Sequence, residues 1–327
     1  MTSQFGGYRI VVIGGGTGLA VLLKGLKIHT SNLTAIVTVS DDGGSSGRLR
    51  SELGVLPPGD IRSCLVALAD TEILMARLFQ HRFNNGQWLE GHSLGNLLLV
   101  AMTEITGDFL SAIRAVSEVL KVRGRVIPST LEQVILGADM EDGAVILGET
   151  AIREYNGKIQ NVFLEPSVCQ PASETIAAIN EAEAIIIGPG SLYTSIIPNL
   201  LVAGIPQAIA QAKGRKIYVS NIMTEAGETD ELDVFDHLQM INKYLGESVI
   251  DDILYSNTAI DKNRLKNYER ERARPVKLLN KEKITKMKVR IVEEDLVAND
   301  DLAWHDSDKL AKIIIKIINE QRKNSKQ

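Results

Sequence analysis

The stretch that decides the fold is Arg9–Leu22, RIVVIGGGTGLAVL. Ile10–Ile13 is a short, uninterrupted, β-branched apolar run, which predicts a buried central strand. It leads straight into Gly14, Gly15, Gly16, Thr17 and Gly18, and then into helix-forming residues from Leu19. Strand, glycine turn and helix in that order aim free backbone N–H groups and a helix dipole at an anion. The first expectation is therefore a phosphate-bearing ligand above Gly14–Gly18.

The rest of the chain extends this pattern. A helix from Thr17 to about Lys27 carries Leu19, Leu22, Leu23 and Leu26 on one face. Leu33–Ser40 (LTAIVTVS) reads as a second strand, ending in the polar loop Asp41–Gly47 (DDGGSSG) followed by Arg48 and Arg50. A short strand–helix–strand unit implies a right-handed parallel crossover. That crossover puts the Gly14 and Asp41 loops at one C-terminal sheet edge, where open α/β sheets bind ligands.

From Pro57 four helices follow: Ile61–Ala69 with Asp60 as its N-cap, Glu72–Phe83, Ser93–Thr103 and Phe109–Leu120. They read as an insertion over about 57–125. Between Val126 and Leu164 the pattern turns to short antiparallel strands, with Ala151–Ile159 among them and a hairpin turn at Asn156-Gly157. Alternation then resumes. The expected elements are a helix over Ser173–Glu183, a strand at Ala184–Ile187, the loop Gly188–Ser195, and a helix through Ala203. Next come a strand at Lys216–Ser220, the loop Asn221–Thr229 and a helix over Val234–Tyr244. A strand near Ile253–Ser256, an edge strand at Lys286–Val292 and a closing helix over Ser307–Glu320 complete the order, with 1–7 and 321–327 as flexible tails. The expected fold is α/β: one Rossmann-like domain over 8–320, with a mostly parallel sheet, a helical insertion and a small antiparallel section.

Composition narrows the function. The chain has 327 residues, a net charge of -5 and two cysteines, Cys64 and Cys169. Nothing in that balance favours nucleic acid, and the cysteines are too few for a disulfide framework or a four-thiolate zinc site. The histidines have no metal-ligand spacing, so no metal is expected. MTSQFGGYR lacks a signal-peptide core and the first strand is too short to span a bilayer, so a cytoplasmic protein with no membrane insertion is expected.

Four polar loops at four strand ends carry the candidate binding residues. They supply Gly14, Gly15, Gly16, Thr17 and Gly18; Asp41, Asp42, Ser45, Ser46 and Arg48; Gly188, Gly190, Ser191 and Thr194; and Asn221, Thr224, Glu228 and Thr229. The first loop departs from the dinucleotide fingerprint: Gly14 and Gly16 fit, but the third position falls on Leu19. An acid at the second strand end keeps NAD possible as a cofactor. Asp41 and Asp42 are the candidate catalytic carboxylates. Gly91-His92-Ser93-Leu94-Gly95 spells a nucleophile elbow, but no strand precedes it, so Ser93 is read as a helix cap and Asn96 as a lining residue. Arg270, Arg272 and Arg274, interleaved with Glu269 and Glu271, read as a solvated helix end.

Taken together, GGGTGL (14–19), VSDDGGSSGRLR (39–50), LPPGDIR (56–62), GHSLGNL (91–97), IIGPGSLYTSIIPNLL (186–201) and NIMTEAGET (221–229) resemble the YvcK-type gluconeogenesis factors. These are part of the CofD-like family, whose namesake is a 2-phospho-lactate transferase. The resemblance runs from about Tyr8 to Glu320. It implies a Rossmann-like fold, a homodimer, and a regulatory protein that binds the nucleotide sugar UDP-N-acetylglucosamine. It also implies roles in growth on gluconeogenic carbon sources and in cell shape, with a link to peptidoglycan-synthesis proteins. In the transferase branch an Asp at the second strand end meets the acceptor and the glycine loops serve a guanosine nucleotide. Here that Asp is Asp41 or Asp42. The alternatives are a phosphoryl- or nucleotide-dependent transferase and an NAD-binding oxidoreductase.

Overall fold

In a computed structural model of the chain, residues 7–71, 73–155, 157–268 and 272–324 are described. The order begins β1 (Ile10–Gly14), α1 (Gly16–Leu26), β2 (Leu33–Val37), α2 (Gly44–Leu53), α3 (Gly59–Leu68), α4 (Ile73–Gln80), α5 (Leu94–Thr106) and α6 (Phe109–Val119). It continues β3 (Arg125–Pro128), β4 (Ile135–Met140), β5 (Val145–Leu147), α7 (Glu149–Tyr155), β6 (Ile159–Glu165), α8 (Thr175–Glu181) and β7 (Ala184–Ile187). A π-helical turn (Leu192–Ile196) leads to α9 (Ile197–Leu200), α10 (Ile205–Gln211), β8 (Arg215–Val219), α11 (Val234–Leu245) and β9 (Asp252–Ser256). The last elements are α12 (Lys262–Lys266), α13 (Lys281–Lys286), β10 (Arg290–Glu294) and α14 (Ser307–Asn324).

The main sheet has the order β10-β9-β8-β7-β1-β2-β3, with every pairing parallel. Every residue of β1, β2 and β7 is buried, as parallel strands covered on both faces require. The chain winds one way from β1 to β2 and β3, and the other way from β7 through β10. The order therefore reverses between β1 and β7, the position where such sheets open a crevice for ligands. Helix α1 packs against α3 and α14, and α8–α11 form a second helical group. A separate antiparallel sheet, β5-β4-β6, completes the predicted α/β architecture.

Several boundaries differ from the expectations, each for a physical reason. The Asp41–Gly47 segment is a loop only as far as Gly43; α2 begins at Gly44, in a run of Gly and Ser with weak helical preference. Asp60 is the second residue of α3, whose N-cap is Pro58, so it does not cap the helix. Val126–Pro128 extends the parallel sheet beside β2 instead of joining the antiparallel one. Ala151–Ile159 is not a strand: α7 fills Glu149–Tyr155, and its start is held by Asp42, whose Oδ1 accepts from the Thr150 N–H and hydroxyl at 2.9 and 2.8 Å. That cap comes from a distant loop and leaves no local signal. The hairpin turn expected at Asn156-Gly157 includes Asn156, which lies outside the described residues.

The edge strand falls at Arg290–Glu294, because Lys281–Lys286 is helical. The helix after Ser195 ends at Leu200. Gln321–Asn324 continues α14 instead of fraying, and the Arg322 guanidinium is paired with Glu183. The helix-end reading at Arg270, with Glu269 and Glu271, lies outside the described residues. No single helix among the described residues is long and apolar enough to cross a membrane.

Candidate functional site

At the reversal point Gly14–Gly18 and Gly188–Gly190 lie against each other. A Cβ on Gly18 would stand 2.9 Å from the Pro189 carbonyl oxygen, so only glycine lets the two loops touch. This contact explains why the glycine falls one residue early for a dinucleotide fingerprint. Gly16 has φ +67, a left-handed turn that starts α1 and directs its first N–H groups outward. Buried Asn199 fixes the strand end, its Nδ2 donating to the Gly14 and Ser195 carbonyls at 3.2 and 2.7 Å.

The four loops do not converge on one cleft. They are divided between two cavities on either side of Gly14–Gly18. The larger, about 520 Å³, is lined by Gly18, Pro189 and Gly190, by Asn221–Ala226, by Arg153, and by an apolar and aromatic wall that includes Tyr268, Ala303 and Trp304. Its volume is in the range of small-molecule sites. Its rim is held by paired polar groups. Asn221 accepts from the Gly190 N–H at 3.2 Å and donates to the Gly190 carbonyl at 2.9 Å. Thr224 exchanges hydrogen bonds with the Arg274 backbone, and Thr229 Oγ1 accepts from the Glu225 N–H.

Beneath this rim the Ser191 hydroxyl donates to Glu228, and Ser191 Oγ also accepts from the Thr194 N–H and hydroxyl. Glu228 is buried; desolvation first, then the neighbouring Glu225, pushes its carboxyl up to about 8, against Arg153 at 3.5 Å. His305 also lines the larger cavity. Burial lowers its imidazole to about 4, a hydrogen bond to the Ser220 backbone opposes that, and Nε2 has no partner.

The smaller cavity, about 230 Å³, is lined by Gly16 and Thr17, by Asp41 and Gly43–Ser46, by Gly59–Ser63 apart from Ile61, and by Arg82 and Asn96. Ser46 Oγ accepts from the Gly59 N–H at 3.1 Å, joining α2 to α3. Ser45 Oγ lies 3.0 Å from His92 Nδ1 and accepts from Asn96 Nδ2 at 3.1 Å, joining α2 to α5. Asp60 is raised to about 6 by burial and by Asp41, with the Gly16 N–H and Arg62 opposing. Glu149 is the most perturbed of these acids: burial, then Asp41, Asp60, Glu228 and Asp42, lifts it to about 9. It senses the carboxylates of the smaller cavity and, from beneath the rim of the larger, that of Glu228.

Of the expected binding residues, Gly16, Thr17, Asp41, Ser45, Ser46 and Asn96 line the smaller cavity, and Gly18, Gly190, Asn221 and Thr224 the larger. Gly14 and Gly15 stand between them. Gly188, Ser191, Thr194, Glu228 and Thr229 line neither cavity; the last four are held in the hydrogen bonds above. Asp42 and Arg48 line a third, shallower groove beside α7, where Arg48 Nη2 donates to the Glu90 carbonyl. Ser93 is the N-cap of α5, its Oγ accepting from the Asn96 N–H at 3.2 Å. Arg62, Arg82, Glu149, Arg153 and His305 are the additions. Only Arg62 falls in a motif already singled out, LPPGDIR; the others are brought in by the fold. Among the described residues no group of three or more His, Cys, Asp or Glu side chains is arranged to hold a metal ion.

A parallel sheet whose order reverses beside a crevice defines an α/β protein of the doubly wound class. The profile of the family described as 2-phospho-L-lactate transferase CofD matches residues 10–297. The gluconeogenesis factor of Bacillus subtilis is 49% identical over 313 residues, covering 95% of this chain and 98% of that one. The gluconeogenesis factor of Halalkalibacterium halodurans is 49% identical over 308 residues, covering 94% and 95%. A Bacillus halodurans protein solved by X-ray crystallography superposes with a TM-score of 0.91 at 48% identity, covering 94% of this chain and 99% of its own. The chain belongs to the CofD-like family, in the branch of the YvcK-type gluconeogenesis factors.

Proposed function

We propose that this chain is a regulatory protein that binds a nucleotide sugar of the UDP-N-acetylglucosamine kind and ties cell-wall precursor supply to growth on gluconeogenic carbon. The observation that carries the reading is the Gly14–Gly18 turn between two cavities. Backbone N–H groups there suit a diphosphate. The larger cavity, with an apolar wall and a few fixed polar groups, suits a nucleoside. The names of the relatives support the gluconeogenic role, and the broken glycine spacing weighs against NAD.

Calorimetry tests it. Titration with UDP-N-acetylglucosamine is expected to give saturable heat, and Gly190→Asp, which forces a side chain between the two loops, to abolish it. No heat at millimolar ligand would overturn the reading. The family profile keeps a transferase as the second reading. In a regulator the ligand is recovered unchanged; steady release of nucleotide to an alcohol or sugar acceptor, lost in Asp41→Asn, would replace the first reading with the second. NADH fluorescence is expected to be unaffected by the protein.

A further inference from the structure

Within the smaller cavity, helix starts and two arginines face two carboxylates without a direct ion pair among the described residues. Three helices of ten or more residues, α1, α2 and α3, begin at its wall, and α5 contributes Asn96 from its first turn. Each helix start presents N–H groups without intrahelical partners and the positive end of a dipole. Arg62 and Arg82 line the same space, and neither forms an ion pair among the described residues. Arg62 gives one hydrogen bond to the Ser63 hydroxyl, while its Nε is buried without a partner. Burial lowers its pKa first, and the charge of Arg82 adds to the effect. Asp60 opposes that shift, and Arg82 Nη1 donates to the Gly91 carbonyl, so both guanidinium groups stay charged in the cavity without a direct ion pair.

Asn96 gives an independent sign. It is 2% exposed, its Nδ2 donates to Ser45, and its Oδ1, an acceptor, has no partner. Turned over, the amide would accept from the Ser45 hydroxyl, itself served by the His92 Nδ1–H, and release its own N–H₂ as a donor. Two carboxylates, Asp41 and Asp60, share the cavity, so a bare anion does not complete it. Carboxylates accept from hydroxyl groups.

We propose that the smaller cavity binds the phosphoryl group of a hydroxyl-bearing small molecule, with Arg62, Arg82, Asn96 and the three helix starts on the phosphate and Asp41 and Asp60 on the hydroxyls. This assigns the sugar-phosphate half of the ligand to the α2–α3–α5 side of Gly14–Gly18 and the nucleoside half to the other. It rests on the nucleotide-sugar reading only for the identity of the molecule that carries the phosphate.

The probe is N-acetylglucosamine 1-phosphate, titrated by calorimetry into the full chain at low ionic strength. The wild type is expected to bind it saturably and more tightly than inorganic phosphate. Arg62→Gln and Arg82→Gln should each weaken it about tenfold, as loss of a charge-assisted hydrogen bond does. Arg114→Gln, on the exposed face of α6, should leave it unchanged. Circular dichroism checks that the variants fold; Arg82, which is exposed, decides the matter if Arg62→Gln does not. Absence of saturable binding, or wild-type affinity in both arginine variants, would overturn the assignment. An inorganic phosphate affinity equal to that of the sugar phosphate would overturn its hydroxyl half. If the sugar phosphate binds through Arg62 and Arg82 but UDP-N-acetylglucosamine does not bind, the nucleotide reading fails and the pocket stands. If UDP-N-acetylglucosamine binds regardless of both arginines, the pocket fails and the nucleotide reading stands.

Discussion

The two cavities beside Gly14–Gly18 are built on opposite principles. Around the larger one Asn221 is engaged with Gly190 and Thr224 with Arg274, while His305 Nε2 has no partner. Around the smaller one the arginines carry no ion pair among the described residues, and the Asn96 Oδ1 has no partner. Polar residues in a loop therefore do two different jobs in this protein. In the Asn221–Thr229 loop they fix the shape of a mostly apolar chamber. In α2, α3 and α5 they tie the helix starts together, Ser46 to Gly59 and Ser45 to Asn96.

Three substitutions probe that contrast, in descending order of expected effect. Gly18→Val places a side chain against the Pro189 carbonyl and drives the two loops apart. The expected cost is about 2–3 kcal/mol by urea melts, as overpacking gives, with binding lost on both sides. A stable variant that still bound nucleotide sugar would show that the loop contact is not the shared wall.

Glu149→Gln acts through charge and not through shape. In the folded chain the carboxyl is raised from 4.5 to about 9. Between those values the unfolded chain has released a proton that the folded chain retains. Its contribution is thus fully present below pH 4.5 and falls as pH rises, by about 1.4 kcal/mol per pH unit at most. Asp60, raised to about 6, acts in the same direction over a lower window. The variant is expected to be more stable than wild type by about 2 kcal/mol at pH 8, and equal to it near pH 4. Parallel stability–pH curves for the two proteins would rule out a neutral Glu149.

Asn221→Ala removes the two hydrogen bonds to Gly190, for about 1–2 kcal/mol. It should weaken nucleotide-sugar binding by roughly tenfold while leaving sugar-phosphate binding unchanged. Equal losses for both ligands in calorimetry would mean that the two cavities act as one.

How much of this was legible beforehand follows from where each signal is encoded. Ile10–Ile13 and Ala184–Ile187 declare themselves because a doubly covered parallel strand is apolar at every position. Ser93 reads correctly as a cap because its partner is three residues away. The starts of α2 and α7 were hidden for the converse reason. One begins in glycine and serine, and the other takes its cap from Asp42 across the fold. The division of the site into two chambers, and the placing of Arg62 of α3 with Arg82 beyond α4 at one cavity, depend on tertiary packing and have no local pattern. Four polar loops at one sheet edge were visible; which of them are spent on each other was not.

The last helix has a consequence of its own. Gly25 of α1 lies so close to Ser307 that any side chain there would collide with its carbonyl. Tyr8 donates to Asn319 at 2.8 Å, and Arg322 covers the Tyr8 ring while it pairs with Glu183. The first strand–helix unit is thus closed by a helix far along the chain, so removal of Ser307–Asn324 would leave the Gly25 face of α1 open to water.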